Sequence, residues 1–403
     1  MISVEAALAL VVAVAETKPA IDVALAEAHG LVLAEAALAD RDVPPFDKAM
    51  VDGYAVSADD LRGDNATLRV LEEVVAGDTP TRAVEPGTAT RIMTGAPVPQ
   101  GASGVVMIEQ STLSERDGTV LLDTEDAAPG QHVLLRGSLL AAGVEAVRAG
   151  CPLGGAQIGL LAEIGRSTVR AVPRPCVAVL ATGNELVPAD QTPSAGQIRN
   201  SNGPMLMAAI SECGAQPTDL GIAADEPDDL REKIARGLEA DVLLLSGGVS
   251  AGVLDLVPQL LVEAGVREVF HKVCLKPGKP LWFGTHEHSD GRKVLVFGLP
   301  GNPVSSFVCY TLFVRPALAR LAGRDDRGSY TRARLTEPYT SRRPRPTYHP
   351  AILDEHTTKS TVRLTDWRGS ADLAAFTRAN CLALLPSGDE GISKGEMVDI
   401  VRC

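Results

Sequence analysis

From Arg174 onward, short apolar runs alternate with amphipathic stretches, and this regularity constrains the fold more than any other feature of the chain. CVAVLATG reads as a buried strand, PMLMAAISECG as a helix and PTDLGIAA as a second strand. DDLREKIARGLEA has the helical spacing of Leu230, Ile234 and Leu238. DVLLLSGG is a third strand, LDLVPQLLVEAG a helix and VREVFHKV a fourth strand. KVLVFGLPG supplies another strand, and NPVSSFVCYTLFVRPALARLAG closes the pattern with a long helix. Such alternation predicts a doubly wound, mostly parallel α/β sheet covered on both faces.

The flanking segments have other textures. The first 45 residues read as two helical patterns, the second being AIDVALAEAHGLVLAEA. From Asp47 to about Gly143, short apolar runs punctuated by Gly, Pro and Asp predict a β-rich domain. A Gly-rich stretch then threads back toward the first helices, with GGAQIGLLAEIG as a short helix. After Gly323, short runs and Pro-rich turns predict a small C-terminal β-barrel. The expected organisation is helical or linking segments at 1–45 and 144–173, a β-rich domain at 46–143, the α/β domain at 174–326 and the barrel at 327–403. A chain of 403 residues exceeds one ordinary core, which agrees with several domains.

Composition removes several classes of function. The opening MISVEAALALVVAVAE lacks a basic n-region and carries Glu5 and Glu16, so it predicts a buried or dimer-forming helix instead of a targeting segment. No apolar run is long enough to span a bilayer, and no membrane partner is expected. The seven cysteines are scattered with no CxxC pair, against a disulfide framework or structural zinc and in favour of a cytoplasmic location. A net charge of −13, 3% aromatic residues and no basic block exclude a nucleic-acid surface. Basic groups that matter for function must be local.

In a doubly wound sheet the ligand lies outside the carboxyl ends of the strands. There the sequence presents Thr182, Asn184 and Glu185 after the first strand and Asp225 after the second. SGGVS follows the third, with Ser246, Gly247, Gly248, Val249 and Ser250, a loop whose amides are free to approach an anion. LKPGKP sets Lys276 and Lys279 on either side of a rigid Pro-Gly pair, and LPGNPVSS contributes Pro300, Asn302, Pro303 and Ser305. Singly, these have plain readings: Asn302-Pro303 as a helix cap with Pro at N1, Asp225 or Asp228 as a cap, Glu185 as a solvated acid. Together they predict a phosphorylated ligand, a second oxyanion and Mg²⁺ held by phosphates and acids. Outside this domain, PPFDKAMVDGYAV concentrates Asp47 and Asp52 in one loop, while RIMTGAPVPQG reads as a plain turn until something ties Thr94 to a site. HEH at 286–288 reads as a solvated loop, not a metal pair.

In their order, PPFDKAMVDGYAV, RIMTGAPVPQGASGVVMIE, ATGNEL, GQIRNSNGPML, SGGVSAGVLD, KPGKP and LPGNPVSS resemble the molybdopterin molybdenumtransferases, the family of MoeA and the E domain of gephyrin. The resemblance covers most of the chain. It implies insertion of molybdate into adenylylated molybdopterin, with Mg²⁺ assisting and AMP released, by a four-domain homodimer whose active site is shared between subunits. It further implies that Lys276 and Lys279 receive molybdate as point charges, with Ser305 and Arg345 completing that pocket. SGGVS cradles the pterin end or its phosphate, together with Pro300, Asn302 and Pro303. Glu185, Asp225 and Asp255 position Mg²⁺ and the pyrophosphate, and Asp52 and Thr94 reach in from the partner subunit. A molybdopterin adenylyltransferase and molybdoenzyme-delivery proteins are the implied partners.

One stretch departs from the family pattern. In GQHVLLRGSLLAAG, Ser138 and Leu139 stand where the family commonly has acids. That leaves a weakened site, an altered oxyanion choice such as tungstate, or a role the residue never carried here. Two rival functions share these motifs, a molybdopterin adenylyltransferase and a non-catalytic scaffold. The extra domains argue against the first and the intact Lys, Glu and Asp set against the second.

Overall fold

In the computed structural model, which describes residues 1–248, 256–324, 330–340, 342–355 and 360–403, the alternating region forms one six-stranded sheet. Its order is Gln216–Ala223, Cys176–Thr182, Val242–Ser246, Lys293–Leu299, Trp282–Glu287, Arg267–His271. The first four strands are parallel. The Trp282–Glu287 strand is antiparallel to both neighbours, so Arg267–His271 points the same way as the first four.

The sheet is buried on both faces, which is why its central strands are continuous apolar runs without a period-two pattern. Val177, Val179, Val242 and Leu244 pack into one core, with Leu206 and Ile210 of the helix Asn202–Glu212. Ala178, Leu180, Leu243 and Leu245 face the opposite core, with Leu230 and Ile234 of the helix Pro227–Gly237. That helix starts at Pro227, carries Asp228 and Asp229 in its first turn and Arg236 in its last, so each end suits the helix dipole. The expected closing helix forms as Pro303–Cys309, a π-helical stretch Tyr310–Val314 and Arg315–Leu321.

Two compact units divide the chain. One comprises Met1–Asp22, Gly30–Ala34 and Arg170–Cys403; the other comprises Val23–His29 and Glu35–Val169. Within the first unit, the N-terminal helix Val4–Val14 is capped by Ser3 and buries Val4, Ala7 and Val11 in a sheet core. The barrel closes through Tyr330–Leu335, Thr361–Leu364, Thr347–Asp354, Cys381–Leu385 and Met397–Arg402. Alternate residues fill its interior, whereas Tyr348, Leu382 and Val401 join the sheet core outside it.

The second unit carries a six-stranded sheet ordered Gly104–Met107, Gly53–Val56, Thr88–Ile92, Asn65–Val74, Thr119–Asp123, Ser111–Ser114. It matches the β-rich texture of the sequence.

Two expectations need correction. AIDVALAEAHGLVLAEA is not a helix: it forms the strand Ile21–Ala24, a 3-10 turn Leu25–Glu27 and the short strand Val32–Leu33. Leu33 and Val32 pair with Ala171 and Val172, a tertiary contact that overrides the helical preference of an Ala-rich run. The HEH stretch is not a solvated loop. His286 and Glu287 end a strand, and the His288 ring lies 2.9 Å from the Leu238 carbonyl. Because that strand runs against its neighbours, HEH lies at the opposite edge of the sheet from the strands' carboxyl ends.

Candidate active site

A cavity of about 750 Å³ opens at the carboxyl edge of the sheet. Its wall includes Glu185, Asp225, Ser246, Gly247, Gly248 and Asn302, each expected there from the sequence. Pro300, Pro303 and Pro280 complete the parts singled out by motif. Val249, Ser250 and Asp255 lie outside the described residues.

The acids are placed by backbone geometry. Gly183 has φ +142, and a Cβ there would sit 2.5 Å from Glu185 Oε2, so glycine is what lets this carboxylate fold back over the loop. Asn184 N–H donates to Asp225 Oδ2 at 3.3 Å, and Asp225 N–H donates to Asn184 Oδ1 at 3.0 Å. This reciprocal pair ties the ends of adjacent strands together. Neither Asp225 nor Asp228 caps the next helix: Glu226 stands at its N-cap without a side-chain capping bond, and Asp228 pairs with Arg231. The Glu185 carbonyl accepts from Ile198 N–H at 2.8 Å, while its carboxylate has no hydrogen bond or ion pair among the described residues. Two carboxylates with oxygen donors suit a hard divalent cation completed by phosphate oxygens. No group of three acidic, His or Cys side chains able to hold a metal occurs among the described residues.

The amides at this edge are less available than the glycine pattern predicts. Gly247 N–H donates to the Leu299 carbonyl at 3.1 Å, and Val304 N–H donates to the Ser370 carbonyl at 3.0 Å. Asn302 stands at the N-cap with Pro303 at N1, as its plain reading had it, yet its side chain makes no capping bond and lines the cavity.

The lysine loop follows the Arg267–His271 strand and therefore leaves the sheet at the same edge. Its Pro280 lies in the cavity wall, while Lys276 and Lys279 are exposed and outside that wall. The loop is pinned at three points. Lys276 N–H donates to the Pro346 carbonyl at 2.9 Å, and Tyr348 N–H donates to the Lys276 carbonyl at 2.8 Å. Arg345 Nη1 donates to the Leu275 carbonyl at 3.0 Å, which brings a third cation to the base of the loop. Gly278, at φ +114, packs on the closing helix: a Cβ there would meet Cys309 Sγ at 2.6 Å. Ser305 is buried one turn before Cys309 on the same helical face and does not line the cavity.

In the other unit, Asp52 and Thr94 meet. Thr94 N–H and Thr94 hydroxyl each donate to Asp52 Oδ1 at 2.7 Å. Both donors, the amide foremost, hold the Asp52 carboxyl below the usual carboxylate range. The departing residues Ser138 and Leu139 are exposed in the same unit, Leu139 to 66%.

The sequence pattern put Thr182 at this edge without a binding role and passed over Asn202, although both line the cavity. Asn202 Nδ2 donates to Ser246 Oγ at 2.7 Å and to the Gly301 carbonyl at 2.8 Å. Its one signal was a place in GQIRNSNGPML, where Asn at a helix start reads as an ordinary cap.

A mostly parallel sheet with an acid-bearing cavity at its carboxyl edge, joined in one compact unit to a five-stranded barrel, defines a multidomain α/β binding protein. Residues 2–165 match the family model of the MoeA N-terminal region (domain I and II), 178–320 that of a probable molybdopterin binding domain, and 332–402 that of the MoeA C-terminal region (domain IV). The molybdopterin molybdenumtransferase of Staphylococcus aureus (strain MRSA252) is 32% identical over 99% of this chain and 95% of its own length. The enzyme of the same name from Nostoc sp. is 34% identical over 93% and 87%. The crystal structure of the molybdopterin biosynthesis MoeA protein from Pyrococcus horikosii superposes with a TM-score of 0.82 at 31% identity, covering 100% of this chain and 99% of the other. The chain belongs to the molybdopterin molybdenumtransferase family, MoeA.

Proposed function

We propose that the chain binds adenylylated molybdopterin across the sheet-edge cavity, inserts molybdate into its dithiolene and releases AMP. As a member of its family it is an enzyme of molybdenum cofactor biosynthesis. The observation that carries the finer reading is one cavity wall shared by Glu185, Asp225 and Pro280, the last adjoining Lys279. Acids suited to a cation thus share a cavity wall with one end of the lysine-bearing loop, which suits a pyrophosphate beside an oxyanion.

In this reading Glu185 and Asp225 hold Mg²⁺, which supplies charge neutralisation at the pyrophosphate being cleaved. Lys276, Lys279 and Arg345 attract the molybdate dianion, and Gly278 with the barrel contacts keeps the loop from rearranging around it. Ser305 supports the loop from the closing helix. Ser246, Gly247 and Gly248 shape the wall against which the pterin end lies. Asp52, kept ionised by Thr94, acts in the site of a second copy of the chain in a homodimer. The protein's contribution is mainly position and charge, since the leaving group is a phosphate ester.

The test is to incubate purified protein with adenylylated molybdopterin and Mg²⁺, with and without molybdate. Molybdate-dependent AMP release supports the reading. AMP transfer from ATP onto free molybdopterin would make the chain an adenylyltransferase, and neither activity would favour a scaffold.

A further inference from the structure

Two buried atoms in the cavity wall have hydrogen-bonding capacity that the protein leaves unused. Asn202 is 8% exposed and Thr182 2% exposed, and both line the cavity. Both donors of the Asn202 amide are spent, on Ser246 Oγ and the Gly301 carbonyl. Those partners fix which way the amide points. Exchanging its nitrogen and oxygen would set an oxygen 2.8 Å from the Gly301 carbonyl oxygen with no proton between them. The remaining atom, Asn202 Oδ1, is therefore an acceptor; it is buried and has no partner. Thr182 Oγ1 is likewise buried and unpartnered. Thr182 ends the Cys176–Thr182 strand, whose Ala181 is the register partner of Ser246, and Asn202, at the start of its helix, is bonded to that same Ser246.

Buried polar atoms are nearly always satisfied, and leaving one unpaired is costly. Two in one wall mark a place where a ligand completes the bonding. An amide oxygen accepts only from a donor, so it repels deprotonated phosphate and molybdate oxygens and takes an N–H or O–H instead. Resting on the function proposed above, we propose that Asn202 Oδ1 and Thr182 Oγ1 accept from the exocyclic amine of a substrate heterocycle. The substrate contains two such amines, on the pterin and on the adenine.

Titration calorimetry on the full chain tests this with two ligand pairs. One is pterin against 4-hydroxypteridine, which lacks the 2-amine; the other is AMP against purine riboside 5′-monophosphate, which lacks the 6-amine. Wild type prefers the amine-bearing member of one pair by about three- to tenfold. Asn202→Ala binds both members of that pair alike, and Thr182→Val, which keeps the shape, reduces the preference. Loss confined to the pterin pair assigns the pterin; loss confined to the nucleotide pair assigns the adenine. No preference in wild type, or a preference unchanged in whichever variant retains the native circular dichroism, overturns the assignment. Wild type that binds neither pterin nor AMP contradicts the functional reading itself, whereas tolerance of the missing amine contradicts only this inference.

Discussion

A single carboxylate oxygen of Asp52 accepts both the amide and the hydroxyl of Thr94, each at 2.7 Å. The pair joins the loops at one end of two neighbouring strands, Gly53–Val56 and Thr88–Ile92, and turns what reads as a plain TGAP turn into the holder of an ionised acid. Because the folded Asp52 titrates below its ordinary value, its bonds stabilise the fold above the unfolded carboxylate pKa. That contribution is lost as pH falls through the depressed folded value. Thr94→Val keeps the amide donor and removes the hydroxyl, so carbon-detected NMR titration is expected to show Asp52 moving back up. Acid unfolding of the variant is expected to depend less steeply on pH in the same window.

Glu185 and Asp225 are proposed to hold a divalent cation at the pyrophosphate. Glu185→Gln and Asp225→Asn each preserve shape while removing charge, and each is expected to cut the rate of AMP release by about 10²-fold or more. Chelating divalent ions from wild type gives a loss of similar size, and added Mg²⁺ restores wild type but not Glu185→Gln. Single-turnover assays of AMP release check both statements.

Lys279 adjoins the cavity through Pro280, and its proposed role is to collect molybdate. Lys279→Gln is expected to raise the molybdate concentration for half-maximal cofactor formation by roughly tenfold to a hundredfold, the range of a charged hydrogen bond. The dependence on adenylylated molybdopterin stays close to wild type. Steady-state titration of each substrate separates the two effects.

Gly278 has no room for a side chain, with Cys309 Sγ 2.6 Å and Leu275 Cδ1 3.1 Å from an added Cβ. Gly278→Ala is expected to cost about 1–3 kcal/mol through overpacking and the left-handed backbone it would force on alanine. Cys309→Ala recovers the steric part and leaves the backbone part, so the two substitutions are non-additive in urea unfolding.

The doubly wound sheet was readable from the chain because strands buried on both faces must be long apolar runs and their helices must repeat every three to four residues. Val177 to Leu180 and Leu230 to Ile234 carry that signal without help from the rest of the molecule. Once the sheet was known, its carboxyl edge located Glu185, Asp225 and Asn302. What stayed illegible depends on pairing between distant segments. Val32 and Leu33 are strand residues only because Val172 and Ala171 lie beside them. Gly247 looked open to anions until the Leu299 carbonyl took its amide. Asn202 escaped notice because its unused oxygen is defined by two partners, Ser246 and Gly301, far away in sequence.

The central proposal is that the cavity lined by Glu185, Asp225 and Pro280 of the lysine loop couples an oxyanion to phosphate-ester cleavage. The direct measurement is AMP release from adenylylated molybdopterin, followed together with molybdenum incorporation as molybdate is varied. The expected result is equal amounts of AMP and incorporated metal, both absent without molybdate and both lost in Glu185→Gln. AMP release that proceeds in full without molybdate, or that survives Glu185→Gln unchanged, would contradict it.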